Sequence, residues 1–298
     1  MTKTDGRFGL SVALATPMTA SGAIDFPRLV QHARRCIDGG CNSVTLFGTT
    51  GEGASVGIAG RLMAYGALKG AGFDFRKQVL SGVAASSVHE AMDQCRVAYD
   101  ADCRGILLAP SFYFKGQDDD GVYGWFAKLF DALGSSARDM ILYHIPSVTG
   151  VAVSPAVIAR LRKSHPGVVI GVKDSSGEKA NTETLLAEHG DLAILVGDER
   201  QLANAVRKGA QGTICGVANI CPELLVPVVA EGRDDPRLNA VVDALVAYPV
   251  IPAVKALIGH VTGDAAWRNV RSPLMPIGDA DMAALGAAYD RARGAKAA

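Results

Sequence analysis

The sequence of 298 residues predicts an α/β fold, a (β/α)8 TIM barrel with a C-terminal helical extension. Eight short apolar runs alternate with helical patterns along the chain, and eight consecutive βα units favour a closed barrel over an open doubly wound sheet. The runs are continuously apolar, which is typical of parallel strands covered on both faces. The GxGxxG fingerprint of dinucleotide-binding sheets is absent, which also disfavours the open sheet.

The predicted elements follow one another in a regular order. The strands cover residues 11–17, 43–48, 78–84, 105–109, 140–145, 168–173, 193–197 and 212–217. Helical patterns follow them, for example at 25–38, 88–101, 121–133, 155–164, 179–188 and 199–208. We therefore predict a catalytic barrel over residues 1–220 and a helical extension over 221–298. The extension is expected to contain helices at 222–231, at 236–259 with interruptions at Pro249 and Pro252, and at 279–293.

Composition and charge exclude several classes of protein. Hydrophobic residues make up 49% and charged residues 20%, which is typical of a globular chain. The 30 basic residues are balanced by 30 acidic ones, so we expect neither nucleic acid nor an anionic membrane as a partner. The first apolar run is too short for a secretory signal, and the 6 cysteines form no CxxC pair. We expect a cytoplasmic protein with reduced core thiols and no structural zinc.

Active sites of such barrels form at the carboxyl ends of the strands. Among the residues at the predicted strand ends, Lys173 is the most unusual. It follows a run of apolar residues, 168–172. One interpretation is a lysine that reaches the rim or pairs with Asp174. The other is a Schiff-base nucleophile, since burial disfavours the ammonium form of a lysine and a neutral amine attacks ketones.

Two further strand ends carry polar groups that suit chemistry on a small anion. The loop 48–53 contains Thr49 and Thr50 between glycines and is either a tight capped turn or a backbone cradle for a carboxylate. The hydroxyl of Thr50 is also a candidate for passing on a proton. Tyr143 lies one βα repeat before Lys173 and is either a packing residue or an acid/base group.

The remaining polar motifs predict no metal and no cofactor. The run Asp118, Asp119, Asp120 is interpreted as a solvated loop and the first turn of a helix. The sequence contains no HExxH pair and no GxSxG nucleophile motif.

Three motifs together resemble the signatures of the dihydrodipicolinate synthase / N-acetylneuraminate lyase family. They are GTTGE at 48–52, YHIPSVTG at 143–150 and VKD at 172–174, and the resemblance covers nearly the whole chain. It implies Schiff-base chemistry on pyruvate, or on a 2-oxo acid that yields pyruvate, with the imine on Lys173. Tyr143 would relay protons, and Thr50 and Tyr113 would complete the relay, with Tyr113 contributed by a neighbouring subunit.

The resemblance also implies a substrate-binding set and an assembly. The backbone N–H groups of Thr49 and Thr50 would hold the pyruvate carboxylate, with Gly48 and Ile214 lining the same pocket. Family members are commonly homotetramers built as dimers of dimers, so the expected partners are a small 2-oxo acid and further copies of this chain.

Two departures from the family pattern lie at Val148 and His144, which are predicted to bind the second substrate. Biosynthetic synthases carry an arginine where this sequence has Val148, and an asparagine where it has His144. Valine makes no charge-assisted bond to a carboxylate, so the substrate is expected to be a 2-keto-3-deoxy sugar acid or a related hydroxylated 2-oxo acid. The enzymatic alternative is 4-hydroxy-tetrahydrodipicolinate synthase, which joins pyruvate and aspartate semialdehyde; dehydratase and deaminase relatives stay open. The alternative from another class is a catalytically silent barrel that binds a small molecule.

Overall fold

The computed structural model describes residues 6–294 and contains a closed barrel of eight parallel strands in chain order, with the last strand pairing with the first. The strands are β1 (Gly9–Ala13), β2 (Ser43–Leu46), β3 (Val79–Val83), β4 (Gly105–Leu108), β5 (Met140–His144), β6 (Val169–Asp174), β7 (Ala193–Val196) and β8 (Gly212–Cys215). The predicted TIM barrel is confirmed. The largest boundary difference is at β1, which ends well before the predicted residue 17, where a proline has no N–H for the ladder.

Helices surround this barrel and continue beyond β8. They are α1 (Phe26–Asp38), α2 (Ile58–Gly70), α3 (Phe75–Gln78), α4 (Val88–Asp100), α5 (Asp119–Leu133), α6 (Pro146–Thr149), α7 (Pro155–Ser164), α8 (Lys179–His189), α9 (Glu199–Arg207), α10 (Pro222–Glu231), α11 (Pro236–Val246), α12 (Val250–Thr262) and α13 (Asp279–Gly294). Side-chain caps begin several of them; Asp118, for example, accepts a hydrogen bond from Gly121 N at the start of α5. The acidic run at 118–120 is therefore a helix start, as predicted.

The helical extension is present, with one correction. The predicted helix over 236–259 is interrupted at Pro249, where α11 has ended and α12 begins at Val250. Pro252 does not interrupt it, because it lies in the first turn of α12, where a backbone N–H has no partner within the helix. Residues 1–5 of the predicted barrel domain and residues 295–298 of the predicted extension lie outside the described residues.

Alternation along the strands divides the core into two layers. Alternate positions of each strand, such as Leu107, Ile141 and Leu195, fill the interior of the barrel, whereas their neighbours pack against the surrounding helices. The same alternation decides which strand-end residues point into the barrel. It is therefore the feature of the fold that positions the site.

Two further sequence expectations bear on the class of protein. All six cysteines are buried and free of disulfide bonds, as predicted for core thiols. Between Gly6 and Gly294, none of the helices combines the length and hydrophobicity needed to cross a membrane.

Candidate active site

Lys173 and Tyr143 lie side by side at the carboxyl ends of β6 and β5. They are register partners in the parallel ladder, so their side chains point to the same face, the barrel interior. The Nζ atom of Lys173 lies 3.1 Å from the Tyr143 hydroxyl and 4.2 Å from the centre of its ring. The strand pairing thus places a primary amine against a phenol.

The surroundings of Lys173 decide between its two interpretations. The residue is only 5% exposed, and no carboxylate within the described part of the chain lies at ion-pair distance from its amine. Asp174 points to the opposite face of β6, where its carboxylate accepts hydrogen bonds from Ser176 N at 3.0 Å and Thr182 Oγ1 at 2.7 Å. Lys173 is therefore a buried amine without a carboxylate partner, and it does not pair with Asp174.

His144, predicted to bind substrate, lies away from Lys173. It follows Tyr143 on β5 and is the register partner of Asp174, so it faces the helices outside the barrel. Its Nδ1 atom accepts a hydrogen bond from Val153 N at 3.0 Å, and burial lowers the pKa of the ring. The side chain lines neither cavity described below. The structure thus places His144 outside the cluster around Lys173, on the side of β5 that packs against the helices.

Thr49, rather than Thr50, carries the hydroxyl next to Tyr143. The two hydroxyl oxygens of Thr49 and Tyr143 are 3.4 Å apart, at the long end of hydrogen-bonding distance. Thr50 lines the same cavity without a side-chain hydrogen bond to Tyr143. Of the two threonine hydroxyls, the one next to Tyr143 is therefore that of Thr49.

The backbone of this loop is held in a conformation that side chains seldom adopt. Phe47 and Glu52 have φ angles of 57° and 56°, in the left-handed region that costs a non-glycine residue about 1–2 kcal/mol. A Cβ atom on Gly53 would lie 1.7 Å from the carbonyl oxygen of Phe47, so only glycine fits there. The loop consequently has one specific backbone conformation, which its sequence and its contacts maintain.

Arg61 of α2, which belongs to none of the predicted site motifs, holds this loop in place. Its buried guanidinium donates to the carbonyl oxygens of Val56 at 3.0 Å, Gly82 at 2.7 Å and Gly53 at 3.0 Å, and it lies over the ring of Phe47. A planar fork of five N–H donors suits three carbonyl groups at once. The one arginine of α2, which stands among small and apolar residues, is the signal that could have indicated this role.

A second brace connects the loop to the helical extension. The carboxylate of Glu52 forms an ion pair with Lys255 of α12, and its other oxygen accepts Arg271 N at 2.8 Å. Lys255 stands in a run of apolar residues, which is the sequence signal of a buried, paired lysine. Its partner could not be read from the sequence, because the two residues are 203 positions apart.

Two cavities meet at Tyr143. The larger, about 540 Å³, brings together most of the predicted set, Lys173, Tyr143, Thr49, Thr50 and Ile214. The smaller, about 300 Å³, adds Gly48. Val148, which is 57% exposed, lines both. The arrangement offers a buried amine, an adjacent phenol and room for a small carbonyl compound, as nucleophilic catalysis by a lysine requires.

Tyr113 does not join this cluster within one chain. It is 73% exposed on the loop after β4, lines neither cavity, and packs edge-on against Phe114. Among residues 6–294 there is also no group of three or more His, Cys, Asp and Glu side chains placed to hold a metal ion.

Comparison with known proteins agrees with this fold. The sequence profile described as the Dihydrodipicolinate synthetase family matches residues 7–291. An "Uncharacterized DapA-like lyase" of Chloroflexus aurantiacus is 34% identical over 95% of this chain and 96% of its own. A protein of Streptomyces coelicolor named "4-hydroxy-tetrahydrodipicolinate synthase 1" is 31% identical over 91% of this chain and 87% of its own.

A solved structure gives the same result in three dimensions. The crystal structure of a dihydrodipicolinate synthase from Agrobacterium tumefaciens superimposes with a TM-score of 0.93 at 47% identity, covering 96% of this chain and 99% of that one. The match extends through the barrel and the helical extension. This chain therefore belongs to the dihydrodipicolinate synthetase family and is an enzyme of the class I aldolase and lyase type.

Proposed function

We propose that this enzyme is a pyruvate-dependent aldolase or lyase that works through an imine on Lys173. The observation that carries the proposal is the buried Lys173 amine, which has no carboxylate partner among the described residues and lies 3.1 Å from the Tyr143 hydroxyl beside a cavity of about 540 Å³. An amine kept from water and from carboxylates is a suitable nucleophile for a ketone.

The loop after β2 supports binding of the 2-oxo acid carboxylate. The backbone N–H groups of Thr49 and Thr50 donate no hydrogen bond to any residue between 6 and 294, although both residues line the cavity. Free N–H groups that converge on a small space form an anion-binding site. A carboxylate held there would place the neighbouring keto carbon near Lys173.

Each step then follows from the groups present. The Lys173 amine adds to the keto carbon, and loss of water gives the iminium. In the cleavage direction the C3–C4 bond breaks, its electron pair moves into the iminium as an enamine, and the C4 hydroxyl becomes a carbonyl as Tyr143 takes its proton. Protonation of C3 and hydrolysis release pyruvate and regenerate the amine. Thr49 supports Tyr143 as a partner for that proton.

For the second half of the substrate we propose a hydroxylated 2-oxo acid, the class that includes the 2-keto-3-deoxy sugar acids. Val148 supports this choice, because it lines both cavities without offering a charge to an anionic aldehyde. The second candidate is 4-hydroxy-tetrahydrodipicolinate synthase, which the names of the Streptomyces and Agrobacterium relatives favour. Rates with aspartate semialdehyde and with a 2-keto-3-deoxy sugar acid distinguish the two.

We also propose the homotetramer of the family, in which Tyr113 serves a neighbouring active site. Its 73% exposure supports this placement, because a tyrosine on an open loop is free to enter another subunit. Sedimentation should give a tetramer. Mixing inactive Lys173→Ala and Tyr113→Phe chains should restore activity through hybrid sites; a monomer, or a mixture that stays inactive, would contradict the proposal.

The imine itself is tested by borohydride reduction in the presence of pyruvate, followed by peptide mapping. We expect a reduced pyruvate adduct on Lys173 that is lost in Lys173→Ala and kept in Lys179→Ala, where an exposed surface lysine is removed. Pyruvate binding without an adduct would support the catalytically silent barrel and overturn the proposal.

A further inference from the structure

Apart from Lys173 and Glu199, the charged groups that line the two cavities form ion pairs. The other cation is Arg200, whose guanidinium donates to Asp198 at 2.8 and 3.0 Å and to Asp243 at 2.9 Å. Glu52 is paired with Lys255. Within the described residues, the cavities therefore offer no free cation to an anionic group of the second substrate.

Glu199 is likewise unavailable for recognition. Its carboxylate accepts Val217 N at 3.1 Å, and burial raises its pKa. A polar ligand that displaced this bond would leave a buried N–H group unsatisfied, at a cost. Within residues 6–294, the free polar side-chain groups that line the larger cavity are therefore uncharged hydroxyls, such as those of Thr50, Ser147 and Ser175.

Apolar side chains make up another part of the lining of the larger cavity. We define the apolar wall as Val148, Val250, Ile251 and Leu274. Three of these residues also line the smaller cavity together with Tyr143, so the wall begins beside the catalytic phenol. Val250 is 46% exposed and Val148 57%, and such apolar surface is stabilised when a ligand covers it.

We infer that the carbonyl compound joined to pyruvate is an uncharged aldehyde with an apolar substituent that packs on the apolar wall. This inference rests on the proposed function and narrows its class of hydroxylated 2-oxo acids to those with an apolar chain beyond C4. In the condensation, C3 of the enamine forms a bond to the aldehyde carbon, and the aldehyde oxygen takes a proton from Tyr143. Water then hydrolyses the imine, which releases the 4-hydroxy-2-oxo acid and the lysine.

The test is a series of aldehydes at saturating pyruvate, with kcat/KM measured by formation of the 4-hydroxy-2-oxo acid. We expect kcat/KM to rise about fourfold for each methylene from propanal to pentanal. Glyceraldehyde and succinic semialdehyde, which add hydroxyls and a carboxylate, should be poorer substrates than pentanal by at least about tenfold. Equal rates across the series, or a preference for glyceraldehyde, would overturn the inference.

Variants of the wall provide the matched comparison. Val250→Ser and Leu274→Ser should flatten the dependence on chain length and leave the borohydride-trapped pyruvate adduct on Lys173 intact. Met63→Ser, at a 59% exposed position on α2 that lines neither cavity, should leave the dependence unchanged. Wall variants that change the sedimentation coefficient and not kcat/KM would identify the wall as a subunit contact and refute the inference. A missing adduct would instead refute the proposed function.

Discussion

Lys255 and Glu52 form an ion pair whose side chains are both 0% exposed, and the pair joins α12 to the loop that carries Thr49 and Thr50. Burial lowers the pKa of Lys255, and the nearby Glu52 carboxylate acts in the opposite direction. Such a pair adds little net stability by itself, but removal of one member leaves a buried charge without a partner.

Lys255→Met should destabilise the fold by about 3–5 kcal/mol, because the Glu52 carboxylate is left buried and unpaired. The double variant Lys255→Met/Glu52→Gln should recover part of this loss. Lys208→Met is the matched control, since its pair with Glu183 is exposed and is expected to be worth less than about 1 kcal/mol. Urea unfolding gives the free energy of unfolding of all three variants. Equal midpoints for Lys255→Met and Lys208→Met would contradict the prediction that loss of the buried ion pair is the more costly.

Thr49→Val should lower kcat more than Thr50→Val does, because only the Thr49 hydroxyl lies within hydrogen-bonding distance of Tyr143. Loss of a proton-relay partner is expected to cost about tenfold or more in kcat, within the range for general acid–base groups. Steady-state kinetics on both variants provides the measurement. A larger loss of kcat in Thr50→Val would return the relay position to that residue.

Val148→Arg should shift preference toward an anionic aldehyde. The new guanidinium would stand on the wall shared by both cavities and could bind a carboxylate through paired N–H donors. We expect the ratio of kcat/KM for aspartate semialdehyde to that for pentanal to rise by about tenfold or more. Val148→Met, which lengthens the side chain without charge, is the control, and an unchanged ratio in the arginine variant would argue against Val148 as a specificity residue.

We predict that the buried His32 lowers the free energy of unfolding in acid. Its Nε2 atom donates to Asn219 Oδ1 at 2.9 Å, since the Asn219 amide nitrogen already donates to the carbonyl of Ala13. Burial lowers the pKa of His32 from 6.5 to about 4, so between these pH values the unfolded chain binds a proton that the folded chain does not. The free energy of unfolding therefore increases with pH across this window, and it decreases as the pH falls from 6.5 toward 4.

The measurement is the difference in free energy of unfolding between the wild type and His32→Gln at several pH values. Glutamine keeps a donor but does not titrate, so the wild type should lose up to about 3 kcal/mol relative to the variant between pH 7 and pH 4. Parallel pH curves for the two proteins would contradict the assignment.

The barrel and the lysine–tyrosine pair were predictable because both follow from periodicity. Apolar runs at a regular spacing predict parallel strands, and strands of one barrel end at the same face. The same reasoning, carried one residue further, would have placed His144 outside the barrel, since it adjoins an inward-pointing Tyr143 on β5.

The loop and the braces were not predictable for a different reason. Beyond the end of β2 the backbone loses its two-residue period, so the sequence does not tell which threonine points at Tyr143. Arg61 and Lys255 appear in the sequence as isolated cations, but their partners are carbonyl groups and a carboxylate fixed only by tertiary structure. Glu52, whose φ is left-handed, likewise has its partners, Lys255 and Arg271 N, in distant parts of the sequence.

The break at Pro249 has a consequence for how selectivity can diverge. It turns the chain so that Val250 and Ile251 reach the cavity from the helical extension, whereas Lys173 and Tyr143 arrive from strands. Three of the four residues of the apolar wall are thus encoded in a different stretch of the gene from Lys173 and Tyr143, and Val148 alone lies close to Tyr143 in the sequence. A chimaera that takes residue 148 and residues 246–274 from a relative should acquire that relative's choice of aldehyde and still form the imine on Lys173.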